Sequence, residues 1–145
     1  MKRGYLVCLM LFLLILAGCA AKPAATGGSI QIFDPWLRPA ASGDNTAAFM
    51  LIKNTGSQAD KLLKVECMAS MMTGIHETKM DGDKMTMSEI PALEIPANGQ
   101  VELKSGGYHV MMMNVSQALK EGDKMKMTLT FEKAGPLEIE AVIKK

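Results

Sequence analysis

Near the C-terminus, apolar and polar positions alternate in two stretches. Met125, Met127, Leu129 and Phe131 interleave with Lys124, Lys126, Thr128 and Thr130, and Leu137, Ile139, Ala141 and Ile143 with Glu138, Glu140 and Lys144. A period of two marks a strand with one buried face, so both apolar sets are expected in the core. Further strand-like runs occupy residues 29–33, 47–54, 60–67, 74–80, 84–90, 99–104 and 108–115, with Gly, Pro and Asn between them. Residues 116–120 suggest one helical turn, but no long amphipathic helix competes. Short strands at regular spacing predict an all-β antiparallel sandwich or barrel.

The N-terminus has a different pattern. Met1-Lys2-Arg3 is basic and the apolar stretch 5–17 is too short for a comfortable membrane span, which identifies an export signal. Leu16-Ala17-Gly18-Cys19 resembles a bacterial lipobox, so residues 1–18 are expected to be removed and Cys19 lipidated. Residues 19–28, rich in Ala, Gly and Pro, read as a flexible tether, and 29–145 as one domain. The expected product is a monomeric lipoprotein held to a membrane on its extracytoplasmic side, in the periplasm or at the cell surface.

Charge excludes one class of partner. Without Lys2 and Arg3, the sixteen basic residues fall to fourteen against fifteen acidic ones, and no basic patch carries interleaved aromatics. Nucleic-acid binding therefore has no electrostatic footprint. Of three cysteines only Cys67 falls in the folded domain, where no intrachain disulfide is available and a buried small hydrophobe is the expectation.

The chain has only two histidines, and both lie among methionines: His76, ten residues, Met87, twenty-one residues, His109, one residue, Met111. Imidazole and thioether together suit monovalent copper, whereas carboxylates suit hard cations and thiolates suit zinc or iron–sulfur clusters. Methionine abundance alone decides nothing, since Met50, Met125 and Met127 read as core filling. Asp81-Gly82 between strand-like runs is a hairpin signal, and a two-residue turn there sets His76 directly opposite Met87. His109 and Met111 alternate on the strand after Gly106-Gly107 and project to one side. Met71, Met72, Met80, Met85, Met112 and Met113 are further candidate sulfur donors. A nucleophile would need a histidine base and a blue-copper site a thiolate beside two imidazoles; neither arrangement is found, so an enzyme and an electron carrier are disfavoured.

This spacing resembles the motif of the periplasmic copper chaperones called PCuAC, and every position matches. The likeness extends to Asp34-Pro35-Trp36-Leu37-Arg38, Ala47-Ala48-Phe49, Gly106-Gly107-Tyr108-His109-Val110-Met111 and Gly122-Asp123, and covers residues 30–142. It implies a cupredoxin-like Greek-key β-sandwich, with His76, Met87, His109 and Met111 as Cu(I) ligands. It also implies delivery of copper to respiratory oxidase assembly at the copper A centre, through an oxidase subunit or a thioredoxin-like assembly factor. A copper-buffering lipoprotein would use the same ligands. Some members carry a His- and Met-rich C-terminal tail, whereas the last residues here read Ala141-Val142-Ile143-Lys144-Lys145, so a tail site for Cu(II) is not expected.

Overall fold

The computed structural model describes residues 25–145, so the signal segment and Cys19 lie outside the described residues. Within that span eleven strands follow one another: β1 (Ala25–Gly27), β2 (Ile30–Leu37), β3 (Thr46–Asn54), β4 (Asp60–Cys67), β5 (Met72–Asp81), β6 (Lys84–Glu89), β7 (Leu93–Ile95), β8 (Gln100–Leu103), β9 (Tyr108–Met113), β10 (Lys124–Phe131) and β11 (Gly135–Ile143). They join edge to edge in the order β6-β5-β9-β3-β2-β11-β10-β4-β7, with β1 added to β2 and β8 to β3. Nine of the strands overlap the patterned runs, eight of them closely, while β2 runs four residues past its expected end at Phe33. The other two, β1 and β7, are three residues each, too short to carry a period. β1 falls inside the segment expected to be tether and pairs with β2, so ordered backbone begins earlier than composition suggests.

Every pairing is antiparallel except β2 with β11, where Trp36 and Leu37 lie beside Val142 and Ile143. The parallel pairing lies just beyond a break in β2. Pro35 has no N–H for the ladder and Asp34 adopts φ +44°, so the register with β3 shifts between Phe33 and Trp36. Beyond the break the strand runs against both β3 and β11, and Lys144 Nζ holds the Asp34 carboxylate at 2.9 Å. On the far side the sandwich closes through side chains: the Thr73 hydroxyl donates to the Val65 carbonyl and the Ser70 hydroxyl to that of Met113.

Inside lie Ile32, Ile52 and Leu62, with Met127, Leu129 and Phe131 of β10 and Ile139, Ala141 and Ile143 of β11; Met125 and Leu137, expected with these sets, are only half-buried against the core. Met50 and Met127 fill this core as expected. Met112 joins them with no exposed surface, which removes it from the candidate sulfur donors. Cys67 is buried, and burial pushes its thiol up. Residues 116–120 form no helical turn; Leu119 is buried there and makes a backbone bridge to Ala40.

Candidate metal centre

The candidate residues sit on the outer face of the four-stranded segment β6-β5-β9-β3. Alternation decides this: Ile75 of β5 and Val110 and Met112 of β9 point into the core, so Gly74, His76 and Thr78, and His109 and Met111, point the other way. The β5–β9 register then places His76 directly opposite His109, and Gly74 opposite Met111. The two imidazole rings are 5.9 Å apart between centroids and tilted by 32°. No local signal foretold this contact, because thirty-two residues separate the two strand positions.

The β5–β6 hairpin differs from the expected one. Asp81 pairs with Lys84, so Gly82-Asp83 form the turn; Met87 faces Thr78, and His76 faces Glu89 rather than Met87. The cause is the glycine: Gly82 has φ +61° and Asp83 is not left-handed, which fits a turn with glycine at its first central position instead of an Asp-Gly pair. The partner moves by two residues, so Met85 and Met87 keep the face of His76. Met87 is its diagonal neighbour, at the roughly 7–8 Å between positions that long side chains span.

Met85, Met87, His109 and Met111 line a cavity of about 450 Å³, floored by Ala47 and Phe49 and rimmed by Arg38 and Ser105. Arg38 stacks over the Phe49 ring at 5.0 Å and donates to Ser105 Oγ at 2.9 Å. Phe49 in turn packs on Trp36, with centroids 4.5 Å apart, which gives the tryptophan its structural role. Chain pattern pointed to the four histidine and methionine positions, and alternation put Thr78 on the face of His76, but nothing pointed to Arg38, Phe49 or Ser105 as their surroundings.

The nitrogens are prepared for a ligand. His109 is 6% exposed and its Nδ1 lies 3.0 Å from the Gly107 carbonyl, a bond that puts the proton on Nδ1 and leaves Nε2 with a free lone pair. Both nitrogens of His76 are buried without a hydrogen-bond partner. Such orphaned polar atoms are costly in a native fold, and coordination would satisfy one of them. Space is kept open beside them: a Cβ on Gly74 would lie 3.0 Å from His76 Nε2 and 2.9 Å from Glu89 Oε1. The donor set fits a soft monovalent ion, since the donors are neutral and Cys67, buried in the core, does not line the cavity. On the opposite face Glu77 pairs with Lys79 at 2.9 Å and stands across from Tyr108, whose phenol is raised by burial and then by the Glu77 charge.

A family model described as "Putative lipoprotein LpqE-like" matches residues 30–143. The chain is 34% identical over 127 residues to "Putative lipoprotein Lxx21020" of Leifsonia xyli subsp. xyli, covering 82% of this chain and 76% of the relative. Its structure is similar to the copper-bound PCuAC domain from PmoF2, with 28% identity, a TM-score of 0.72, and coverage of 82% of this chain and 95% of that one. It also resembles the solution structure of CuI-DR1885 from Deinococcus radiodurans, with 30% identity, a TM-score of 0.58, and coverage of 79% and 78%. The likeness to PCuAC domains and the cupredoxin-like β fold expected from the sequence are thereby borne out.

Proposed function

From the premise that this chain belongs to the LpqE-like lipoprotein family, we propose that its domain is an extracytoplasmic Cu(I) chaperone that holds the ion with His76, Met87, His109 and Met111. The observation that carries the reading is the His76–His109 cross-strand pair, with orphaned nitrogens on one ring and a fixed tautomer on the other, beside Met87 and Met111. The copper-bound and CuI-bound neighbours support it.

Copper is cargo here, so the site must release it. Neutral nitrogen and thioether donors yield a soft ion more readily than thiolates do, and a partner richer in thiolate can draw it off by stepwise ligand exchange. Met87 suits the first exchange, because it is 53% exposed on an outer strand while His109 is buried. Arg38 at the rim presents a fixed cation to whatever approaches. Lipidation at Cys19 would keep the domain at the membrane, within reach of respiratory oxidase assembly, and the copper A centre is the recipient we favour.

Mixing the Cu(I)-loaded protein with an apo copper A domain tests delivery: uptake by the acceptor supports a chaperone, and retention supports a buffering lipoprotein. Ligation is tested separately by Cu(I) competition against a chromogenic chelator across pH. Imidazole ligands bind the ion only when deprotonated, so affinity must fall as pH falls. A flat profile would refute imidazole ligation.

A further inference from the structure

A second group of thioethers lies on the same outer face and is not used by the four-residue site. Met72 of β5 stands directly opposite Met113 of β9, one same-face step beyond the Gly74–Met111 pair and two beyond His76–His109. Successive same-face positions on a strand are about 6.6 Å apart, so Met113, Met111 and His109 form a continuous row of soft donors along β9. Beside the Met72–Met113 pair is a groove of about 690 Å³, with Met68, Met71 and Cys67 along it and Glu89, which faces His76, at its inner end.

Core filling does not account for these methionines. Met68 is 92% exposed, Met72 59% and Met71 fully exposed, in contrast to the buried Met50, Met112 and Met127. The Cys67 thiol is pushed up by burial and stays protonated, so the accessible sulfurs are thioethers. The charges around the groove are mixed, Lys64 and Lys126 against Glu66, Glu89 and Glu138, and form no hard-cation site.

We propose that the Met72–Met113 pair, with Met71 and Met68 at the groove mouth, is a second Cu(I) site of thioethers alone, which receives the ion from solution and passes it along β9 to the histidine site. The proposal rests on reading His76, Met87, His109 and Met111 as a Cu(I) site. Thioethers without imidazole hold Cu(I) more weakly, and three rotatable bonds let each methionine follow the ion, so the ion moves toward the stronger donors.

The test is a titration of the full chain in detergent with Ag(I), a redox-inert soft cation, followed by NMR of 13C-labelled methionine methyl groups. Expected is a first equivalent that shifts Met87 and Met111 and a second that shifts Met72 and Met113. The volume-conserving double variant Met72→Leu, Met113→Leu should lose the second equivalent, keep the first, and take up Cu(I) from a chelator more slowly. Unmoved Met72 and Met113 signals, or a double variant that loads as much metal at the same rate, would overturn the second site and leave the histidine site standing. The variant His76→Ala, His109→Ala separates the two readings. It should keep the Met72–Met113 shifts and lose the tight first equivalent at Met87 and Met111; loss of the Met72–Met113 shifts as well would overturn the proposal, and an unchanged first equivalent would overturn the histidine site instead.

Discussion

The β10–β11 and β5–β6 hairpins are both built from alternating strands, but they bury very different surfaces. In β10, Met127, Leu129 and Phe131 are almost inaccessible, and in β11 Ile139, Ala141 and Ile143 join them. In β6 every residue is exposed. The turns differ as well. Between Phe131 and Gly135 the β10–β11 turn is clamped from outside, because the Asp60 carboxylate accepts N–H bonds from Lys133 at 2.9 Å and Ala134 at 3.0 Å as well as from Lys61 at 2.8 Å. Among the described residues no such outside carboxylate clamps the Gly82-Asp83 turn. Burial therefore fixes the register of the first hairpin, since a one-residue slip would drive its apolar face into water. In the second hairpin the turn residues alone choose the register. With β6 exposed throughout, Met85 and Met87 line a cavity without serving the core.

The largest expected effect breaks the buried hairpin: Leu129→Ala should cost about 2–5 kcal/mol of stability by leaving a core cavity, measured by denaturant unfolding, while Cu(I) affinity of the folded fraction stays unchanged. Asp60→Asn comes next. Burial pushes the Asp60 carboxyl up, but the three backbone N–H bonds pull it down further, so its folded value is lowered. A lowered folded value stabilises above the unfolded carboxyl range near about 3.9 and is lost as pH falls through the folded value. The variant should lose about 1.5–3 kcal/mol at neutral pH, and the gap to the parent should close in acid.

The exposed hairpin should respond in the opposite sense. Met87→Ala should weaken Cu(I) binding by at least the about 10–100-fold seen when metal sites lose an outer partner, yet shift stability by no more than about 0.5 kcal/mol. Equal loss of both properties would mean that Met87 is a packing residue. Gly82→Ala forces a side chain into the left-handed region and should cost about 1–2 kcal/mol, with a fall in Cu(I) affinity as the β6 methionines lose their register. The smallest stability effect belongs to Gly74→Ala, whose methyl suits a strand but intrudes on His76 Nε2; copper affinity should fall while the unfolding midpoint hardly moves.

The strands of this protein were legible because their information is local. A period of two over 124–131 and 137–144, punctuated by turn residues, fixes both strand and buried face, and burial follows it except at Met125 and Leu137, which are half-buried. The residue types at 76, 87, 109 and 111 likewise limit the metal chemistry before any fold is known. Chain pattern did not decide which turn Asp81-Gly82-Asp83 would make, because both candidate turns satisfy the same alternation and differ only in where one glycine sits. Nor did it decide that His76 would meet His109 or that Gly74 would leave room beside them. Those outcomes depend on how β5 and β9, distant in the chain, slide against each other, and that register is set by Ile75, Val110 and Met112 packing into a core supplied by the rest of the domain.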